Sequence, residues 1–178
     1  MLDNKRIEEA EKNIRNYFDE DLLKKIGKAD ENIFNVFRRN AEDSLKIADF
    51  LHKNNMSSLW TIVCSYYSMY YMANAVLYRM GYKVGDKIPH KVTSDALIVF
   101  VRNKLKESML EEFEEARYEA LELANVKADE IIESFDFERV KRSSFQYEMT
   151  EAIKNSKAAT SLERAKKFNF EIEKMLTK

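Results

Sequence analysis

The chain has 178 residues, a length that suits one domain, and its 30 Lys and Arg nearly cancel its 31 Asp and Glu, leaving a formal net charge of -1. That balance excludes a generally basic nucleic-acid coat, and 45% hydrophobic residues are too many for intrinsic disorder. Three glycines and one proline are too few for most β-sandwiches or α/β enzymes, and no glycine cluster is present to cradle a phosphate.

Hydrophobic spacing predicts helix almost throughout. The first helix, about residues 3–27, carries Ile7, Ile14, Tyr17, Phe18, Leu22 and Ile26 on one stripe and is expected to end at Gly27. Asp30 is the expected N-cap of a second, amphipathic helix, whose apolar positions Ile33, Phe37, Ala41, Leu45, Ala48 and Leu51 step by three and four. Residues 54–78 hold no charged side chain. Such a length could cross a bilayer, which takes about 20 apolar residues. However, eight Asn, Ser and Thr side chains and five tyrosines interrupt it. The preferred reading is the buried central helix of a bundle, capped at Ser57 or Ser58 and stopped by Gly81, with no membrane span.

A loop from Tyr82 to His90, with Gly85 and Pro89, leads to a helix over about 93–106. An acidic helix follows over about 107–133, with a break expected at 125–127. A helix near 140–154 and a last one over about 158–176, repeating Leu162, Ala165, Phe168 and Ile172, complete the pattern. The expected architecture is a single all-α domain spanning residues 1–178, an up-and-down helical bundle.

The lone Cys64 cannot form an internal disulfide, and the N-terminus lacks a secretory signal, which points to the cytoplasm. His52 and His90 with one cysteine cannot build a Cys/His zinc site, and no Glu-x-x-His pair favours a di-iron bundle. No metal or other cofactor is expected. Charge is unevenly placed: residues 79–106 carry seven basic and two acidic side chains, 107–138 two and twelve, and 139–178 ten and five. Either these are solvated helix faces with offsetting partners, or the two basic segments converge on a site for phosphate or RNA.

Two stretches together carry a resemblance. The first is Ala41-Glu42-Asp43-Ser44-Leu45-Lys46-Ile47-Ala48, followed by Ser65 through Leu77, the close Met80-Gly81-Tyr82, and His90-Lys91. The second is Arg142-Ser143-Ser144-Phe145-Gln146-Tyr147-Glu148 with the terminal helix from Ala158 to Leu176. This pattern resembles HEPN domains, the helical family of prokaryotic toxin and RNase modules, over about residues 35–178, with the N-terminal helix added to that core. It is most similar to a small stand-alone subgroup whose late motif reads Arg, four residues, Tyr.

The resemblance implies a helical bundle that pairs as a homodimer and binds RNA or a nucleotide in a cleft between subunits. Active members are metal-independent endoribonucleases, often toxin–antitoxin components, with an Arg, four to six residues, His motif. By that resemblance Arg142 would stabilise the charged phosphorane, and Tyr147 takes the place of the His that moves protons. The implied RNA- or nucleotide-binding set is Arg142, Ser143, Tyr147, His90 and Lys91. A tyrosine of ordinary pKa, about 10, is a poor general base near neutral pH. It donates a hydrogen bond or stacks on a base instead. Whether the chain is an enzyme therefore stays open. The alternative is a non-catalytic helical interaction module partnering a minimal nucleotidyltransferase.

Local geometry adds detail. Five residues on one helix separate side chains by about 140°, so Arg142 and Tyr147 would not share a face. Ser143-x-x-Gln146 matches a capping box, which would leave Arg142 beside a helix N-terminus suited to a phosphate. Equally, Arg142 would pair with Asp136 or Glu138. His90 either caps the helix after Pro89 or catalyses. Tyr66, Tyr67, Tyr70 and Tyr71 read as core, as dimer interface or as a base-stacking platform. Cys64 reads as core, His52 as a surface residue near a helix C-terminus, and Asn74 requires a buried partner.

Overall fold

The structure, a computed structural model, describes residues 2–135 and 151–177, with side-chain surroundings for 2–124 and 154–177. Among the described residues it is mostly helical. Six helices run α1 Asn4–Asp19, α2 Glu31–Lys53, α3 Ser58–Arg79, α4 Pro89–Phe100, α5 Glu107–Phe135 and α6 Glu151–Leu176. Two three-residue strands, β1 Leu23–Lys25 and β2 Tyr82–Val84, pair antiparallel with Leu23 opposite Val84 and Lys25 opposite Tyr82.

That ribbon corrects the all-α expectation and shortens the first helix by eight residues from its expected end at Gly27. The run Asp19-Glu20-Asp21 puts three carboxylates where the helix dipole is negative, and Asp21 turns left-handed at φ 59°. Leu22 and Leu23 are then buried from an extended chain rather than from a helical stripe. The expected loop after Gly81 is likewise partly strand, and His90 lies in the first turn of α4 rather than in a loop. Gly81 (φ +91°) ends α3, and its carbonyl accepts from the Ile26 amide at 2.8 Å. A Cβ on Gly85 would stand 3.2 Å from the carbonyl oxygens of Asp21 and Leu22, so the two chains approach closely there.

The caps expected for the second and third helices form. Asp30 accepts from the amides of Asn32 and Ile33, and Ser57 accepts from Trp60. Along α2 the buried residues are Phe34, Ala41 and Ala48, whereas Ile33, expected inside, is 39% exposed. The expected break at 125–127 is absent and α5 runs through it; nor is there a gap at 155–157, which lies inside α6. Neither stretch contains Gly or Pro, and ordinary residues cost less than about 1 kcal/mol each in a helix. The helix expected near 140–154 lies largely outside the described residues.

Helix α3 is the centre, packed against α2, α5 and α6. No described helix is long and apolar enough to cross a membrane. Its Met69, Met72, Ala73, Val76 and Leu77 are buried, as are Leu162, Ala165, Phe168 and Ile172 of α6. Burying each large side chain contributes about 1.5–3 kcal/mol. Two of the polar residues that interrupt α3 tie it to its neighbours, whereas the buried Ser65 hydroxyl has no hydrogen-bond partner among the described residues. Ser68 Oγ donates to the Ala41 carbonyl at 2.7 Å and accepts from Asn169 Nδ2 at 2.6 Å, linking α2, α3 and α6. Asn74 Nδ2 donates to Thr93 Oγ1 of α4 at 3.2 Å, the buried partner its position required.

The acidic segment finds countercharges on other helices: Glu114 meets Arg6 of α1, and Glu115 and Glu119 meet Arg164 of α6. Much of the charge segregation thus works as inter-helix pairing.

Candidate functional site

On α3, Tyr66 and Tyr70 lie one turn apart, as do Tyr67 and Tyr71, because residues four apart are neighbours on a helix. The α4 N-terminus meets this row. Ile88 holds a left-handed conformation (φ 44°), Pro89 opens the helix, and His90 follows in the first turn. His90 Nδ1 lies 2.8 Å from the Tyr66 hydroxyl. Its ring centroid is 4.5 Å from that of Tyr70, 5.6 Å from Tyr66 and 5.7 Å from Tyr67. Tyr66 also touches Phe113 of α5, with ring centroids 5.9 Å apart, which anchors the cluster in the core.

Burial favours the neutral forms of the central groups. It pushes the Tyr66 hydroxyl far above its ordinary range and also raises Tyr67 and Tyr70. Burial, reinforced by the positive charge of Arg117 on α5, lowers His90 below its usual 6.5. The Tyr66 hydroxyl and His90 Nδ1 share one hydrogen bond, in which the imidazole tautomer sets the donor. His90 Nε2 is the ring nitrogen left for a ligand, a donor in one neutral tautomer and an acceptor in the other. Tyr67, Tyr70 and Tyr71 are half-buried, so part of each ring remains accessible, and Lys91 beside His90 is exposed. The assembly offers aromatic faces, the His90 Nε2 and one exposed cation, Lys91, a combination suited to a ligand that is both aromatic and anionic.

Of the residues singled out in the sequence, His90 and Lys91 are brought together in this first turn. Arg142, Ser143 and Tyr147 lie outside the described residues. His90 does not serve as the N-cap; Ile88 holds that position without a side-chain bond. Cys64 is half-buried, and burial raises its thiol above the ordinary value. Sequence reasoning missed the Tyr66–His90 bond and Arg117. The one legible signal was the four-residue spacing of the tyrosines.

A second polar cluster was missed altogether. Asp95 on α4 is fully buried and accepts from Arg6 at 2.6 Å, Tyr17 Oη at 2.8 Å and Asn13 Nδ2 at 3.0 Å, all from α1. Arg6 also bonds Glu114, which accepts from Ser94 Oγ at 2.8 Å. Burial alone would lower Arg6, but its bonds to Glu114 and Asp95 hold it above the ordinary value.

Two shallow, solvent-open depressions, one beside Lys25, Arg79 and Gly81 and one beside Asn32, Val36 and Arg39, share no residue with either cluster. Among the described residues no three His, Cys, Asp or Glu side chains are grouped so as to hold a metal ion. Comparison of the chain with family models, curated proteins and solved structures found no match.

Proposed function

We propose that the chain is a HEPN-like homodimer that binds single-stranded RNA or a nucleotide through the tyrosine row of α3 and the first turn of α4. The observation that carries this reading is the His90 Nδ1 contact to the Tyr66 hydroxyl at 2.8 Å, which orients the imidazole and leaves Nε2 free among accessible tyrosine rings. Bases stack on such rings with little regard to sequence, and exposed Lys91 supplies a counter-charge for phosphate. The resemblance adds Arg142, Ser143 and Tyr147 to the same binding set. Binding comes first in this reading and endoribonuclease activity second, because a tyrosine of ordinary pKa at position 147 is a poor base at pH 7.

The test is fluorescence anisotropy with a labelled single-stranded RNA, alongside a cleavage gel in EDTA. Wild type should bind, and His90→Ala and Lys91→Ala should each weaken binding at least about fivefold, or ~1 kcal/mol. Unchanged affinity in both variants would sink the site. Cleavage abolished by Arg142→Ala would establish the ribonuclease version, whereas binding without cleavage would leave a binding module.

A second reading, an interaction module that partners a minimal nucleotidyltransferase, draws support from Tyr118 of α5 and Phe170 of α6, large apolar side chains left exposed. Co-purification of the two proteins in the absence of any RNA affinity would favour it.

A further inference from the structure

Helix α2 has two apolar faces. Phe34, Ala41 and Ala48 are buried against the rest of the molecule. Roughly 130° around the helix runs a second stripe, Ile33, Val36, Asn40, Asp43, Ile47 and Phe50, in which the steps alternate three and four. That is the spacing of a coiled-coil seam. The four apolar members are all open: Ile33 39%, Val36 43%, Ile47 50% and Phe50 58% exposed. A surface helix of a lone protein has no reason to keep a heptad seam on its solvent side.

The order of residues along the seam identifies its occupant. Two apolar layers lie at each end and a polar pair in the middle, and the pattern is symmetric about the point between Ala41 and Glu42. Run antiparallel to itself, it places Ile33 opposite Phe50, Val36 opposite Ile47, and Asn40 opposite Asp43, each pair occurring twice. A two-fold interface requires this property, that residue i meets j while j meets i.

Charge agrees with the register. Asp43, which already lies 3.5 Å from Lys46 of its own helix, would meet the Asn40 amide and, one position away, the Arg39 guanidinium of the other copy, so each central carboxylate gains a donor across the axis. A polar central layer of this kind also fixes register, since sliding by one heptad would set Asn40 or Asp43 against an apolar residue.

We infer that the exposed face of α2 is an interface with a second copy of this chain, the two α2 helices packing antiparallel about a two-fold axis between Ala41 and Glu42. This deepens the homodimer part of the proposed function and rests on it, though not on RNA binding.

Sedimentation equilibrium of the full chain should give twice 21.0 kDa at micromolar concentration. Ile47→Glu combined with Phe50→Glu should raise the dimer dissociation constant at least 100-fold while leaving the helical circular dichroism unchanged, because both positions are exposed. Oxidative crosslinking in a Cys64→Ala background tests the register. Val36→Cys with Ile47→Cys should yield a covalent dimer. Neither single variant should, because identical positions would then stand ~16 Å apart along the axis. A monomeric wild type would overturn both this interface and the homodimer reading. A wild-type dimer indifferent to the glutamates, or crosslinked through Val36→Cys alone, would overturn this interface and leave the homodimer standing.

Discussion

Helix α4 carries His90 in its first turn and Asp95 at its middle, and the two are treated differently. Asp95 is fully buried, paired with Arg6 and supplied with two further donors from Asn13 and Tyr17. His90, five residues earlier, is half-buried, with its Nδ1 bonded to Tyr66 and its Nε2 left for a ligand. The first cluster meets the demands of a buried ion pair, which is tolerated only when hydrogen-bonded as well. It secures α1 to the bundle. The second keeps one ring nitrogen and several ring faces in reserve, which weighs little on stability and suits a group that meets a ligand. One helix thus separates holding from offering.

Breaking the Asp95 cluster should cost most. Asp95→Ala removes one of the two carboxylates that hold the Arg6 guanidinium, with Glu114 remaining, and leaves Asn13 and Tyr17 without this acceptor, so unfolding in urea should show a loss of about 3 kcal/mol. Asp95→Asn, which keeps acceptor capacity but not the charge, should fall between that value and wild type. An unchanged midpoint for Asp95→Ala would mean that α1 is not held by this residue. In the first turn of the helix, Tyr66→Phe removes one hydroxyl and leaves His90 Nδ1 without its partner. The expected loss is about 1 kcal/mol. The same substitution removes the bond that orients the imidazole, so RNA affinity should fall in a variant that still folds. A Tyr66→Phe protein as weakened as Asp95→Ala would erase the distinction between the two clusters.

The sequence disclosed the bundle better than either cluster. An uncharged stretch of residues interrupted by Ser and Asn reads as a buried helix, and α3 is one, with Ser68 and Asn74 bonded to neighbouring helices. Asp30 and Ser57 were legible as caps because capping is a local event. The end of α1 was not, because apolar spacing continues through Leu22 and Ile26 while the acidic run and the pairing with β2 stop the helix. A three-residue strand is too short to show an alternation. Asp95 carries no motif, being one acid in an apolar helix whose three partners lie about 80 to 90 residues earlier. His90 and Lys91 were singled out, yet the Tyr66 bond that orients His90 spans 24 residues and two helices. Contacts made by tertiary packing leave no local mark.

The smallest expected effect concerns proton uptake at His90. Its folded-state pKa lies below the ordinary 6.5 because burial and the Arg117 charge oppose the imidazolium. The unfolded chain takes up this proton near pH 6.5, the folded chain only at lower pH. Between those two values the unfolded state binds more protons, so stability is fully present above about 6.5 and declines as the pH falls toward the folded value. His90→Gln should flatten that slope relative to wild type when unfolding is compared at pH 5 and pH 7. Arg117→Gln should move the imidazole titration, followed by NMR, back toward 6.5 without reaching it, since burial remains. An imidazole that titrates at or above 6.5 in the folded wild type would mean that His90 is solvated or charge-paired, and the contrast with Asp95 would then rest on burial alone.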